Sequence, residues 1–200
     1  MKGWIGCGIV AIVLLLAALL VGGWAVGIYN GLVRAQIGVD SSWSQVENVY
    51  QRRMDLIPNL VETVKGAADF EQSTFREVTE ARARASQIVM SPELMNDPAR
   101  FRQFQQAQGE LSGALSRLLV TVENYPQLTA TQAFRDLQSQ IEGTENRIAV
   151  ERRRFNEAVE RYNTAIRVFP ASMMAGVFGF RAKAFFEADA GADRAPKVEF

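Results

Sequence analysis

From Gly3 to Val33 the chain carries no charged side chain, and Trp4 to Ile28 consists only of aliphatic, aromatic, Cys and Gly residues. At 1.5 Å per residue a helix over that stretch reaches roughly 37 Å, more than the ~30 Å hydrocarbon core, so it spans a bilayer with some tilt. Trp4, Trp24 and Tyr29 fall near its ends, where amphipathic rings favour the interface. The rival reading is a cleavable signal, with Ile9–Val21 as its apolar core and Ala25-Val26-Gly27 as the cleavage site. The apolar run continues past that core and only Lys2 precedes it, so an uncleaved anchor is the expectation. A lipoprotein reading of Trp4-Ile5-Gly6-Cys7 lacks a preceding hydrophobic segment. Lys2 and the α-amino group face only Arg34 across the run, which favours a cytoplasmic N-terminus and an extracytoplasmic soluble domain. Gly23, Gly27 and Gly31 share one helix face. Such a strip either lets two copies approach closely, as a homo-oligomer, or reflects the ordinary frequency of glycine in membrane helices.

From Asn30 to Phe169 the chain reads as helix. Leu32, Val39, Val46, Leu60, Ala67, Ala81 and Ile88 fall in sevens, interleaved with Tyr29, Trp43, Tyr50, Ile57, Val64, Val78 and Ala85. After Pro98 come Phe101, Phe104, Leu111, Leu115, Leu118, Val122 and Tyr125. A third stripe runs Phe134, Ile141, Ile148, Phe155, Tyr162 and Phe169, each seven after the last. Helices in a bundle place such residues on one side; strands do not. Ser91-Pro92 and Asp97-Pro98 bracket a loop, and Tyr125-Pro126 and Phe169-Pro170 close helices. Glu80 with Arg84 and Glu157 with Arg161 make i,i+4 pairs. Pro58 within Asp55-Leu56-Ile57-Pro58 costs ~3 kcal/mol or more inside a continuous helix. The seam runs on through Ile57 and Leu60, favouring one kinked helix from Asn30 to Val89. Three alternating helices then carry Pro170 away from the membrane, and four bring it back. The predicted class is all-α: an N-terminal transmembrane helix, then an elongated antiparallel bundle of three to four long helices. Its parts are residues 1–29 as anchor, 30–170 as bundle and 171–200 as an apolar, then polar, tail.

The inventory for chemistry is thin. The chain has no histidine and one cysteine, Cys7, so it lacks the usual base near neutral pH and any internal disulfide. Lys+Arg and Asp+Glu are 22 each, so bulk charge does not recruit nucleic acid. Asp189 and Asp193 around Ala-Gly-Ala are too sparse for calcium. A Ser–Lys pair would draw on Lys2, Lys65, Lys183 or Lys197, with no supporting motif. No cofactor or metal is expected. Arg152, Arg153 and Arg154 form the densest basic run, either an anionic-lipid or phosphate contact or a solvated face balanced by Glu151, Glu157 and Glu160. Arg53 and Glu71 sit on interior seams, where a charge must be paired, with Glu145 and Arg152 as interhelical partners that fix register. Asn59, Asn124, Asn146, Asn156 and Asn163 have the same bonding capacity. Met173, Met174, Phe178, Phe180, Phe185 and Phe186 crowd the tail, as packing along the bundle or as a partner-binding surface.

Several stretches together resemble the LemA family: Tyr29-Asn30-Gly31-Leu32-Val33, the run from Arg52 through Asp55-Leu56-Ile57-Pro58-Asn59-Leu60-Val61 to Gly66, and Glu123-Asn124-Tyr125-Pro126. Gly143 to Val150, Arg152 to Asn156, Tyr162-Asn163, Phe169-Pro170, Phe178-Gly179-Phe180 and Ala195 to Phe200 extend the likeness over nearly the whole chain. It departs at Ala67-Ala68-Asp69-Phe70, where the family often has an aromatic and a histidine, and at Phe155, which replaces a frequent tyrosine. The resemblance implies a bacterial protein with an N-terminal anchor in the cytoplasmic membrane and a helical bundle, and brings no catalytic activity with it. The expectation is a non-enzymatic scaffold or adaptor of the cell envelope. Its partners would be the bilayer, through the first helix, and other envelope proteins. The alternative is a lipid-binding or membrane-shaping module acting through the bundle and the Met/Phe-rich tail.

Overall fold

Apolar stripes in sevens on otherwise polar helices are buried by packing helix against helix. The computed structural model describes residues 2–65 and 72–187, with side chains from 11 to 65 and from 73 to 187. Among them there is no strand. The helices are α1 (Lys2–Lys65), α2 (Gln72–Ser86), α3 (Pro98–Val122), α4 (Pro126–Thr129), α5 (Gln132–Ala165) and α6 (Ala171–Phe178), with a 3-10 turn at Pro92–Asn96. The chain divides into two units, Met1–Ser41 with Ala158–Ala182, and Ser42–Glu157 with Lys183–Phe200. The expectations for Trp4, Cys7, Ala67, Asp69, Glu71, Asp189, Asp193, Lys197 and the final Val-Glu-Phe fall outside the described side chains.

The second unit is a four-helix bundle. Its core gathers Trp43, Val46, Ile57, Leu60 and Val64 of α1, Val78, Ala81 and Ala85 of α2, Phe104, Leu111 and Leu118 of α3, and Phe134, Ile141 and Phe155 of α5, all at most 3% exposed. The single helix expected from Asn30 to Val89 is not what forms. Helix α1 ends at Lys65 and α2 returns along it: the Lys65 ammonium lies 5.2 Å from the Phe75 ring, and Arg82 reaches Met54. Pairs Arg117–Glu77 and Arg84–Glu110 then run α2 and α3 antiparallel. Arg84 thus pairs across helices, and Glu80 takes Arg76 at 3.6 Å instead of Arg84.

Pro58 lies inside α1, as expected of a helix that does not break there. Proline has no N–H, so the carbonyl four residues back, Met54, loses its intrahelical donor. Arg82 Nε donates to that oxygen at 3.2 Å, replacing what proline removed. Pro92 and Pro98 flank the expected loop, whereas Pro170 does not close α5, which already ends at Ala165. Pro98 opens α3 behind Asp97, whose carboxylate accepts from the N–H groups of Ala99 and Arg100 at 3.0 and 3.1 Å, and Pro126 opens α4.

The first unit holds the apolar stretch of α1. Its residues from Ile12 to Leu20 are bare, Leu20 at 75%, while Leu32 and Val39 beyond them are buried. Val159, Tyr162 and Ile166 at the end of α5 and Ala175 of α6 are buried as well. The sixth member of the third stripe departs from expectation. Phe169 is 79% exposed, because α5 ends at Ala165 and the heptad loses its helix before reaching it. Gly179 closes α6 with φ 73, a left-handed value that costs glycine nothing, and Phe180 N–H then bonds the Ala175 carbonyl at 3.0 Å. That turn sets Phe180 beside Tyr29, 5.9 Å between ring centroids, with Phe178 at 4.8 Å.

Tyr162 lies inside this unit. Burial pushes its phenol above the usual 10.0, the Asp40 charge adds to that, and a hydrogen bond from the Arg181 backbone opposes it. The folded chain therefore holds this proton where the unfolded chain has released it, and stability falls as pH rises past about 10. Tyr162→Phe should flatten that alkaline loss relative to the parent chain, read as thermal midpoint against pH, while leaving the neutral limb nearly parallel.

Candidate functional site

Two places carry chemistry beyond core packing, one in each unit. In the bundle, Arg53 of α1 is 1% exposed at a seam position. Its Nη1 donates to Ser112 Oγ at 2.7 Å and to Glu145 Oε1 at 2.9 Å, and its Nη2 donates to Gln108 Oε1. Ser112 Oγ in turn donates to Glu145 Oε2 at 3.2 Å, and the Tyr50 ring lies 5.0 Å from the guanidinium carbon. A cleft of about 460 Å³ opens over this group, lined also by Gln105, Gly109, Ile148 and Arg152.

The circuit is closed on itself. Both Glu145 oxygens are engaged, and the guanidinium spends both terminal nitrogens on α3 and α5; only its Nε, buried, lacks a partner. A planar fork of donors suits this role, since one side chain addresses two helices at once. What it does chemically is lock the register of three helices. Sequence reasoning placed Glu145 correctly as the partner of Arg53 and missed Gln108 and Ser112. The signal for Gln108 was present: it sits at helical spacing between Phe104 and Leu111, a buried polar residue in an apolar seam.

The basic run divides its work. Arg152 donates to the Glu187 carbonyl at 3.1 Å and lies 4.8 Å over the Phe186 ring, Arg154 pairs with Glu151 at 2.8 Å, and Arg153 is exposed. Consecutive helical positions point apart, so the three do not converge on one point. Arg152 belongs to a clamp on Lys183–Glu187. Asn156 bonds Phe186 through both its amide atoms, each at 2.9 Å, Gln105 donates to the Glu187 carbonyl, Ala184 N–H bonds Met95, and Lys183 Nζ reaches Asn96 at 2.9 Å. Phe186 itself is 5% exposed, surrounded by Trp43, Phe101, Phe104 and Phe155 at 4.9–6.4 Å. It is core, not docking surface. Phe155 is fully buried among these rings.

The other tail residues are divided between cover and surface. Met173 is 67% exposed, Phe178 52% and Phe185 43%; Met174 and Phe180 are half-buried. Val168, Phe169 and Val177 join the bare set at 50%, 79% and 80%. This is the second place: an apolar patch around α6, whose Phe178 and Phe180 touch Tyr29. Gly23, Gly27 and Gly31 of α1 all look onto open space. Among the described residues, one helix is long and apolar enough to cross a membrane, by a window of mean hydropathy 2.5 with none of it buried.

A family model described as the LemA family matches residues 42–200. Among curated proteins the chain is 28% identical over 180 residues to Magnetosome protein MamQ of Magnetospirillum gryphiswaldense, covering 82% of this chain and 66% of that protein. It is 26% identical over 175 residues to Magnetosome protein MamQ 2 of Paramagnetospirillum magneticum, covering 80% and 64%. To Protein LemA of Metamycoplasma hominis it is 23% identical over 163 residues, covering 82% and 70%. The chain thus spans just under two thirds of the length of the MamQ proteins it matches.

Proposed function

Since this chain belongs to the LemA family, matched over residues 42–200, we propose that it is a membrane-tethered, non-enzymatic helical scaffold of the bacterial envelope. LemA family proteins are not known as enzymes. The observation that carries the reading is the bare apolar stretch of α1 in the first unit, Ile12 to Val26, in the same helix that supplies Trp43, Arg53 and Leu60 to a filled bundle core. An anchor that is also a core element delivers a bundle to a bilayer and supports proteins there. The polar network at Arg53 supports the same reading, because its charges serve helix register and leave neither carboxylate oxygen of Glu145 idle for proton transfer.

In the proposed arrangement the span crosses the cytoplasmic membrane once, with the bundle on the extracytoplasmic side, and exposed bundle faces hold other envelope proteins. The test is cross-linking in native membranes followed by quantitative mass spectrometry, comparing the full chain with residues 1–41 fused to an unrelated helical domain. A partner set specific to the full chain is the expected result. Equal sets from both proteins would leave the bundle without a scaffolding role.

A further inference from the structure

We propose that α6 and the residues leading into it form a second membrane contact, seated in the headgroup region of the same leaflet from which α1 emerges. The proposal rests on the span reading and is independent of what the bundle holds. Val168, Phe169, Met173, Val177 and Phe178 are each at least half exposed, within a segment of about ten residues. Met173 and Val177 stand four apart in α6 and share a face, while Ala175 between them is buried, so the helix is anchored by one side and bare on the other. Water is a poor solvent for such a group, and a contiguous patch of this kind marks an interaction surface.

What covers it follows from where it lies. Tyr29 ends the apolar run of α1, and its ring is 4.8 Å from Phe178 and 5.9 Å from Phe180. A span of about 20 residues ending there puts Tyr29 at the level of the lipid headgroups, where tyrosine rings are enriched. Residues in contact with that ring share its depth. The bare face of α6 is therefore continuous with the bare surface of the span, and the occupant is phospholipid. Charge agrees with this placement: α6 carries none, whereas Arg167 precedes it, Arg181 follows it and Arg34 is the first charge after the run, all three exposed. Guanidinium groups around an apolar element match the phosphates of an anionic leaflet.

The test uses the full chain in a Cys7→Ser background, reconstituted into phosphatidylcholine vesicles containing a minority of phosphatidylglycerol. A polarity-sensitive fluorophore is attached in turn to Val177→Cys, to Val120→Cys on α3 (63% exposed) and to Leu16→Cys in the apolar run. Helicity by circular dichroism checks that each labelled chain is folded. The label at 177 should emit to the blue of that at 120, be quenched severalfold more by lipids with a spin label near the headgroup, and resist aqueous iodide. The label at 16 should respond to a spin label deep in the acyl chain. Iodide reaching 177 as freely as 120 overturns the proposal. So does a label at 177 that is shielded from iodide yet blind to spin-labelled lipid, because protein, such as a second copy, then covers the patch. If 16 also fails to respond to lipid, the span itself is at fault, and the two failures are told apart.

Discussion

Trp43→Ala is expected to cost about 3–5 kcal/mol of stability, the range for removing a large buried aromatic from a packed core. Trp43 is 0% exposed and its ring meets Phe101, Phe104, Phe155 and Phe186 with centroids 5.4–6.4 Å apart. Tilted and edge-on pairs of this kind contribute beyond their buried area. The substitution removes a ring that touches all four others, so the loss is not confined to a cavity on α1. Phe186 belongs to a segment without helix or strand bonding, held by side-chain clamps from Asn156 and Arg152. Weakening its socket should free that segment before the helices melt. Chemical denaturation gives the total, and limited proteolysis after residue 180 reads the segment. A loss under about 1 kcal/mol with unchanged cleavage would contradict this account of the core.

Arg53→Ala is expected to cost about 2–4 kcal/mol, below the full range for orphaning a buried charge because Glu145 stays 36% exposed and recovers solvent. The larger part of the loss comes from Gln108, 4% exposed, whose carbonyl loses its donor. Arg53→Lys should recover little. A lysine offers a point charge where the site uses a fork that bridges Gln108 on one side and Ser112 with Glu145 on the other. Arg53→Met separates the two ingredients: it keeps the volume and drops the polar work. If methionine matched arginine in stability, the network would fix register without adding to folding free energy. Double-mutant cycles of Arg53 with Gln108 and with Glu145 apportion the coupling.

Much of the architecture was legible in the sequence because period carries it. Phe134, Ile141, Ile148, Phe155 and Tyr162 are all buried, as a heptad on a bundle helix requires. The reversal after Lys65 was not legible for the same reason: Val78 and Ala85 continue the seven-residue count begun by Ile57 and Val64, so the apolar phase is blind to the change of direction. Pro58 drew attention to itself but could not reveal Arg82, which lies on another helix and serves the Met54 carbonyl. Arg53 announced its need for a counter-charge by occupying a seam; which polar groups shared the task depended on helix register. Phe186 had no period to identify it. An aromatic in an extended segment reads as tail until the Trp43 socket is seen.

That socket bears on the order in which the chain is made. The ring that completes the aromatic cluster arrives with Phe186, long after α1 and its apolar stretch have left the ribosome. The first helix therefore leaves the ribosome while the interior it will share is still missing a wall. Closure of the aromatic cluster is a late event in synthesis, after every helix that lines it has been made.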